Sequence, residues 1–119
     1  MNFPQTTSSG KMILIATMSV VPGKESRMAE IMAAAQAGAL SDGQPNTIGY
    51  RVTRVLEPNG TPTSTFVIIE EYNGPKIGFE QHVRSPDTKA MMKAFKDEGV
   101  LAKDPALVFC DELKPKAKL

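Results

Sequence analysis

The chain has 119 residues, with 14 Lys or Arg against 13 Asp or Glu and a formal net charge of +1. That length suits one domain with its own core, and the charge balance excludes the basic footprint of a nucleic-acid or anionic-membrane binder. A lone cysteine, Cys110, excludes an intrachain disulfide and fits a reducing compartment.

MNFPQTTSSGK lacks the basic start and apolar centre of a signal peptide, so residues 1–10 read as a disordered arm. Lys11 to Val21 reads as a strand, broken by Pro22-Gly23. From Lys24 to about Leu40, Met28, Ile31, Met32 and Ala35 keep the spacing of a helix buried on one side. Ser41 to Pro45 is a loop. Thr47–Leu56 and Thr63–Tyr72 read as an antiparallel hairpin around the turn-forming run Glu57 to Pro62.

Asn73-Gly74-Pro75 opens a short helical segment in which Phe79, His82 and Val83 share a face. Ser85-Pro86-Asp87 then supplies a cap, a proline for the first turn and an acid at its start, so a fresh helix begins there and buries Met91, Met92 and Phe95. Glu98-Gly99 ends it. Ala106 to Leu113 is the last strand, with Cys110 expected as a buried thiol. Residues 11–113 thus form the domain and 114–119 a basic tail.

The order β-α-β-β-α-β predicts an α+β, ferredoxin-like fold: a four-stranded antiparallel sheet with two helices on one face. Strands one, three and four are apolar on both alternating sides, yet two helices cover only one face. A second copy is the simplest cover, so the chain is expected to be a homodimer packed sheet to sheet.

With one His and one Cys, a zinc site built from His and Cys is ruled out. No dinucleotide fingerprint, P-loop or nucleophile elbow is present. No metal, organic cofactor, nucleic acid or membrane is therefore expected, since no apolar run approaches the ~20 residues of a bilayer span. The expected location is the cytoplasm. Ala117-Lys118-Leu119 is one residue from the Ser-Lys-Leu peroxisomal address and would act as one only at the native terminus of a eukaryotic protein.

Three segments together resemble the antibiotic biosynthesis monooxygenase (ABM) family of the dimeric α/β-barrel superfamily. They are Val21-Pro22-Gly23-Lys24-Glu25, Ile48-Gly49-Tyr50, and FVIIEEY (Phe66 to Tyr72) followed by His82-Val83-Arg84-Ser85-Pro86. The resemblance spans about residues 12–113. It implies a homodimeric dimeric α/β barrel that needs neither metal nor organic cofactor and oxidises anthrones, quinols and related polyketides with O₂. Relatives on this fold also include haem-degrading enzymes, isomerases and polyketide cyclases. Haem degraders and the best-known anthrone oxidases rely on a tryptophan. This chain has none, which argues against haem degradation.

His82 is the only imidazole in the chain. It reads either as a core histidine satisfied by Glu70 or a carbonyl, or as a general base at a cavity; the matching family position favours the second. Glu70, on the side of Phe66 and Ile68, is expected to orient it or to pair with Arg54 or Arg51 at the strand end. Tyr72 and Tyr50 are candidates to stabilise a developing oxyanion. Met28, Ile31, Phe79, Met91 and Phe95 would line the slot, with Arg54 and Asn46 as further substrate contacts.

The leading expectation is a cofactor-free monooxygenase in which His82 deprotonates an aromatic polyketide that then reacts with O₂. A cyclase, isomerase or lyase using the same base is the alternative. A non-catalytic binding dimer, with His82 packed and no cavity beside it, is the third reading.

Overall fold

The computed structural model describes residues 2–114. All of the expected basic tail but Lys114, including Ala117-Lys118-Leu119, lies outside them. The chain runs β1 (Met12–Ser19), α1 (Glu25–Ala39), β2 (Thr47–Leu56), β3 (Pro62–Tyr72), a wide π-helical turn (Pro75–Glu80), α2 (Gln81–Arg84), α3 (Pro86–Glu98) and β4 (Ala106–Cys110). The strands form one antiparallel sheet in the order β2-β3-β1-β4. This is the expected ferredoxin-like α+β arrangement, with the second helical region restarted at Ser85.

Two strands are shorter than their sequence suggests. β1 stops at Ser19, and Val20 pairs in isolation with Leu101. β4 stops at Cys110 rather than Leu113, because beyond the Ile13–Cys110 pair Asp111 turns to the N-terminal arm. Residues 2–10, expected as a disordered arm, contain no helix or strand yet meet the domain at two points. Phe3 packs edge-on against Phe79 with centroids 5.1 Å apart, and Asp111 accepts the Ser8 N–H at 2.8 Å. An apolar anchor and a satisfied carboxylate account for that placement.

One face of the sheet carries the core. Met12, Leu14, Ala16 and Met18 of β1 and Phe66, Ile68, Glu70 and Tyr72 of β3 are all buried there. The α1 stripe Met28, Ile31, Met32, Ala35 and Ala39 is buried and packs with Ala16, Met18, Phe66 and Ile68, while Met12, Leu14 and Tyr72 form a second cluster with Phe79. Arg27 clasps α1 to α3, donating from Nε and Nη2 to the Glu98 carboxylate at 2.6 and 2.7 Å. Gly99, at φ 59°, takes the left-handed conformation that terminates α3.

Among the described residues no helix covers the other face. Ile13, Ile15, Val67 and Ile69 are half-buried there, and Val108 is 55% exposed. Cys110 also lies on this face and is half-buried, so its thiol is less enclosed than its apolar run suggests. Among the described residues no helix is long and apolar enough to cross a membrane.

Candidate active site

The antiparallel registers place Tyr50, Glu70, Leu14 and Phe109 in one row across the covered face. β3 ends at Tyr72, and the chain turns back over this row through the wide turn at Pro75–Glu80. There the amides of Gly78 and Phe79 both donate to Gly74 O, at 3.1 and 3.3 Å. Such π-type turns displace the helix that follows and recur at functional sites. Gly78 makes the approach possible: a Cβ there would sit 2.6 Å from Tyr72 Cβ and 2.8 Å from Asn46 O. The single turn α2 then sets His82 above Glu70.

His82 and Glu70 are 5% and 4% exposed, and His82 Nε2 lies 3.6 Å from Glu70 Oε1. Tyr72, fully enclosed, donates its hydroxyl to the same carboxyl oxygen. The other imidazole nitrogen is held elsewhere. His82 Nδ1–H donates to Gln44 Oε1 at 2.7 Å, and Gln44 Nε2 donates to Ser85 Oγ at 3.1 Å. Ser85 Oγ also caps α3 by accepting Thr88 N–H, and it donates to Thr88 Oγ1 at 3.0 Å. Thr88 Oγ1 is in turn 3.3 Å from both His82 Nδ1 and His82 Nε2. The Gln44 oxygen, itself oriented by the Gln44 Nε2–Ser85 bond, assigns the proton to His82 Nδ1 and leaves His82 Nε2 as the basic nitrogen.

Burial sets the proton distribution. Desolvation pushes Glu70 up to about 7, with the Tyr72 hydrogen bond acting in the opposite sense. Desolvation pulls His82 down to about 4, against the attraction of Asp87. Both phenols, Tyr50 and Tyr72, are raised by burial and then by the nearby Glu70. At neutral pH the imidazole is therefore uncharged, and the group poised to gain or lose a proton is the carboxyl.

A cavity of about 480 Å³ opens beside the pair, within the usual range of about 300–1,000 Å³ for ligand sites. Glu70, His82 and Thr88 are on its wall; Leu14, Ala16, Met18, Phe79, Met91 and Phe95 supply much of the apolar lining. Among the described residues no group of three His, Cys, Asp or Glu converges in a way that could hold a metal ion.

The expected site residues divide clearly. His82, Glu70, Phe79, Met91 and Phe95 meet at the cavity. Tyr72 stands behind Glu70, and Tyr50 flanks the imidazole with ring centroids 5.7 Å apart. Met28 and Ile31 are packed into the main core and do not line the cavity. Asn46 is taken up in the loop, its carbonyl accepting Asn73 N–H at 2.9 Å. Arg54 lies along the hairpin, donating to Thr63 O at 2.6 Å and covering the Phe66 ring. The described ion pairs contain no arginine partner for Glu70, and its orienting contact is Tyr72. Met92, expected as buried, is 54% exposed at the cavity's edge.

Gln44, Ser85 and Thr88 complete the site and were not singled out as site residues from the sequence. Ser85 is legible as a helix cap. Nothing local marks Gln44, which reads as a turn residue and meets His82 only through a contact spanning 38 positions.

A model of the family described as antibiotic biosynthesis monooxygenase matches residues 12–94. No curated protein matches the sequence. Among solved structures, a Caulobacter crescentus protein described as a candidate antibiotic biosynthesis monooxygenase superposes with TM-score 0.75 at 20% identity, covering 88% of this chain and 92% of that one. A Mycobacterium tuberculosis protein gives 0.72 at 16% identity, with 90% and 99% covered. A Pseudomonas aeruginosa protein gives 0.73 at 16% identity, with 94% and 100% covered. At these identities the superpositions establish the fold.

Proposed function

Because the chain belongs to the antibiotic biosynthesis monooxygenase family, whose model spans residues 12–94, we propose that it is a cofactor-independent monooxygenase. It oxidises an electron-rich, planar aromatic of anthrone or quinol type, and His82 and Glu70 together take the substrate's proton. One observation carries this reading. A neutral imidazole and a carboxyl face each other at 3.6 Å on the wall of an otherwise greasy cavity.

The pair divides the work of a base. Gln44 holds Nδ1–H, so Nε2 faces the incoming proton. An imidazolium alone would be costly in this dry setting, as its lowered pKa records. An ionised Glu70 beside it offsets that cost, and the pair then holds one added proton without net charge. In an anthrone the proton leaves the methylene carbon, and the electron pair passes into the ring system and its oxygen. The carbanion gives one electron to O₂, superoxide and the carbon radical combine, and the pair returns the proton to the peroxide. Loss of water then leaves a quinone, so one O₂ supplies the new carbonyl oxygen and one water. The substrate provides all the electrons.

The open cavity beside His82 also favours catalysis over a purely structural dimer, in which that ring would be packed on every side. The uncovered apolar sheet face supports a homodimer joined through Ile13, Ile15, Val67, Ile69 and Val108.

Oxygen consumption with anthrone, measured above the uncatalysed rate, tests the function. The wild-type protein accelerates uptake, and His82→Asn lowers the rate about 100-fold or more while the fold survives. Equal rates for the two proteins would refute the role of His82.

A further inference from the structure

The cavity has a second polar region that the proton chemistry does not use. Lys96, Lys103 and Asp104 lie on its wall, all three exposed, beside the half-exposed Met92. Two ammonium groups against one carboxylate leave this rim cationic. Among the described residues neither lysine makes an ion pair, whereas neighbouring Lys93 is paired to Asp97.

Two independent rulers place the rim relative to the base. Thr88, which touches His82, is in the first turn of α3, and Lys96 is in the last. Eight helical steps at about 1.5 Å each span about 12 Å. On the opposite wall, Leu14 pairs with Glu70 in β1, and Met18 lies at the far end of the same strand. Four strand steps at about 3.4 Å give about 14 Å. The stretch between is lined by Ala16, Met91 and Phe95 and offers no charge.

Resting on the monooxygenase reading of this same site, the geometry points to a substrate that carries an anionic group, of the carboxylate kind, about 12 Å from its acidic hydrogen. The substrate is then an elongated aromatic acid lying along α3. Its reacting end sits at His82 and Glu70, and its charged end sits between Lys96 and Lys103. A greasy wall alone would hold a flat aromatic in several poses. A charged anchor at the opening selects one and presents the acidic hydrogen to the base.

The test uses two fluorescent probes of the same size, anthracene-2-carboxylate and the neutral 2-(hydroxymethyl)anthracene, titrated into the full chain. The wild-type protein binds the carboxylate about fivefold more tightly, as one partly exposed ion pair allows, and added salt erodes the difference. In K96M/K103M, which keeps the apolar stems, the preference disappears while the alcohol binds within twofold of wild type. A carboxylate that binds no better than the alcohol overturns the inference alone. So does a preference that persists in the double variant, since the anion would then sit at the deep end. If neither probe binds, the inference falls together with the cavity reading beneath it.

Discussion

Replacing Glu70 by Gln should stabilise the protein in alkali and leave it nearly unchanged in acid. Burial raises the carboxyl from 4.5 to about 7, so the folded state holds this proton more tightly than the unfolded chain does. The carboxyl's contribution is therefore fully present below pH 4.5 and is lost as pH rises through about 7. That interval corresponds to about 3 kcal/mol, since one pH unit is worth a little over about 1 kcal/mol. Glutamine has the same shape, accepts the Tyr72 hydroxyl through its own Oε1, and does not ionise. Urea denaturation at one fixed protein concentration, at pH 4.5 and pH 8.5, should give E70Q an advantage approaching 3 kcal/mol at the higher pH only. The same substitution should lower oxygen consumption sharply, because the pair loses its ionisable partner. A stability difference that does not change with pH would refute the burial argument.

Gly78→Ala should destabilise the protein by about 1–3 kcal/mol, since its Cβ would sit 2.6 Å from Tyr72 Cβ within a packed turn; thermal unfolding reads the loss, and an unchanged midpoint contradicts the packing. Gln44→Leu should preserve the fold but lower activity about tenfold, and nitrogen NMR of the ring should show a mixture of tautomers where wild type has one. Ile15→Glu on the uncovered face should shift the species seen in size-exclusion chromatography from dimer to monomer, and a dimer that persists would place the interface elsewhere.

The sheet was legible because periodicity is local. β2 matches its predicted span, and Ser85-Pro86-Asp87 announces the helix start at which Ser85 Oγ accepts the Thr88 amide. The parity of β3 placed Glu70 with Phe66 and Ile68 on one face, and three-and-four spacing placed Phe79 and His82 together. The orienting partner of His82 was not legible, because it depends on a loop glutamine brought back by the chain's path. The lining failed for a related reason. Met28 and Ile31 have the same helical pattern whether they face a solid core or a void, and they belong to the core. Nothing local in residues 2–10 marks where they meet the domain, because those contacts rest on one phenylalanine and one distant aspartate.

Since the chain has a single histidine, one pair of ring-nitrogen signals in an imidazole NMR spectrum reports on the heart of the site. Between pH 5.5 and 7 that ring should stay uncharged with its proton on Nδ1, gaining a second proton only near pH 4, while the Glu70 carboxyl carbon titrates near 7. A ring that protonates near its ordinary 6.5, or that samples both tautomers freely, would mean that His82 is solvated and unheld, and the shared-proton site described above would not exist.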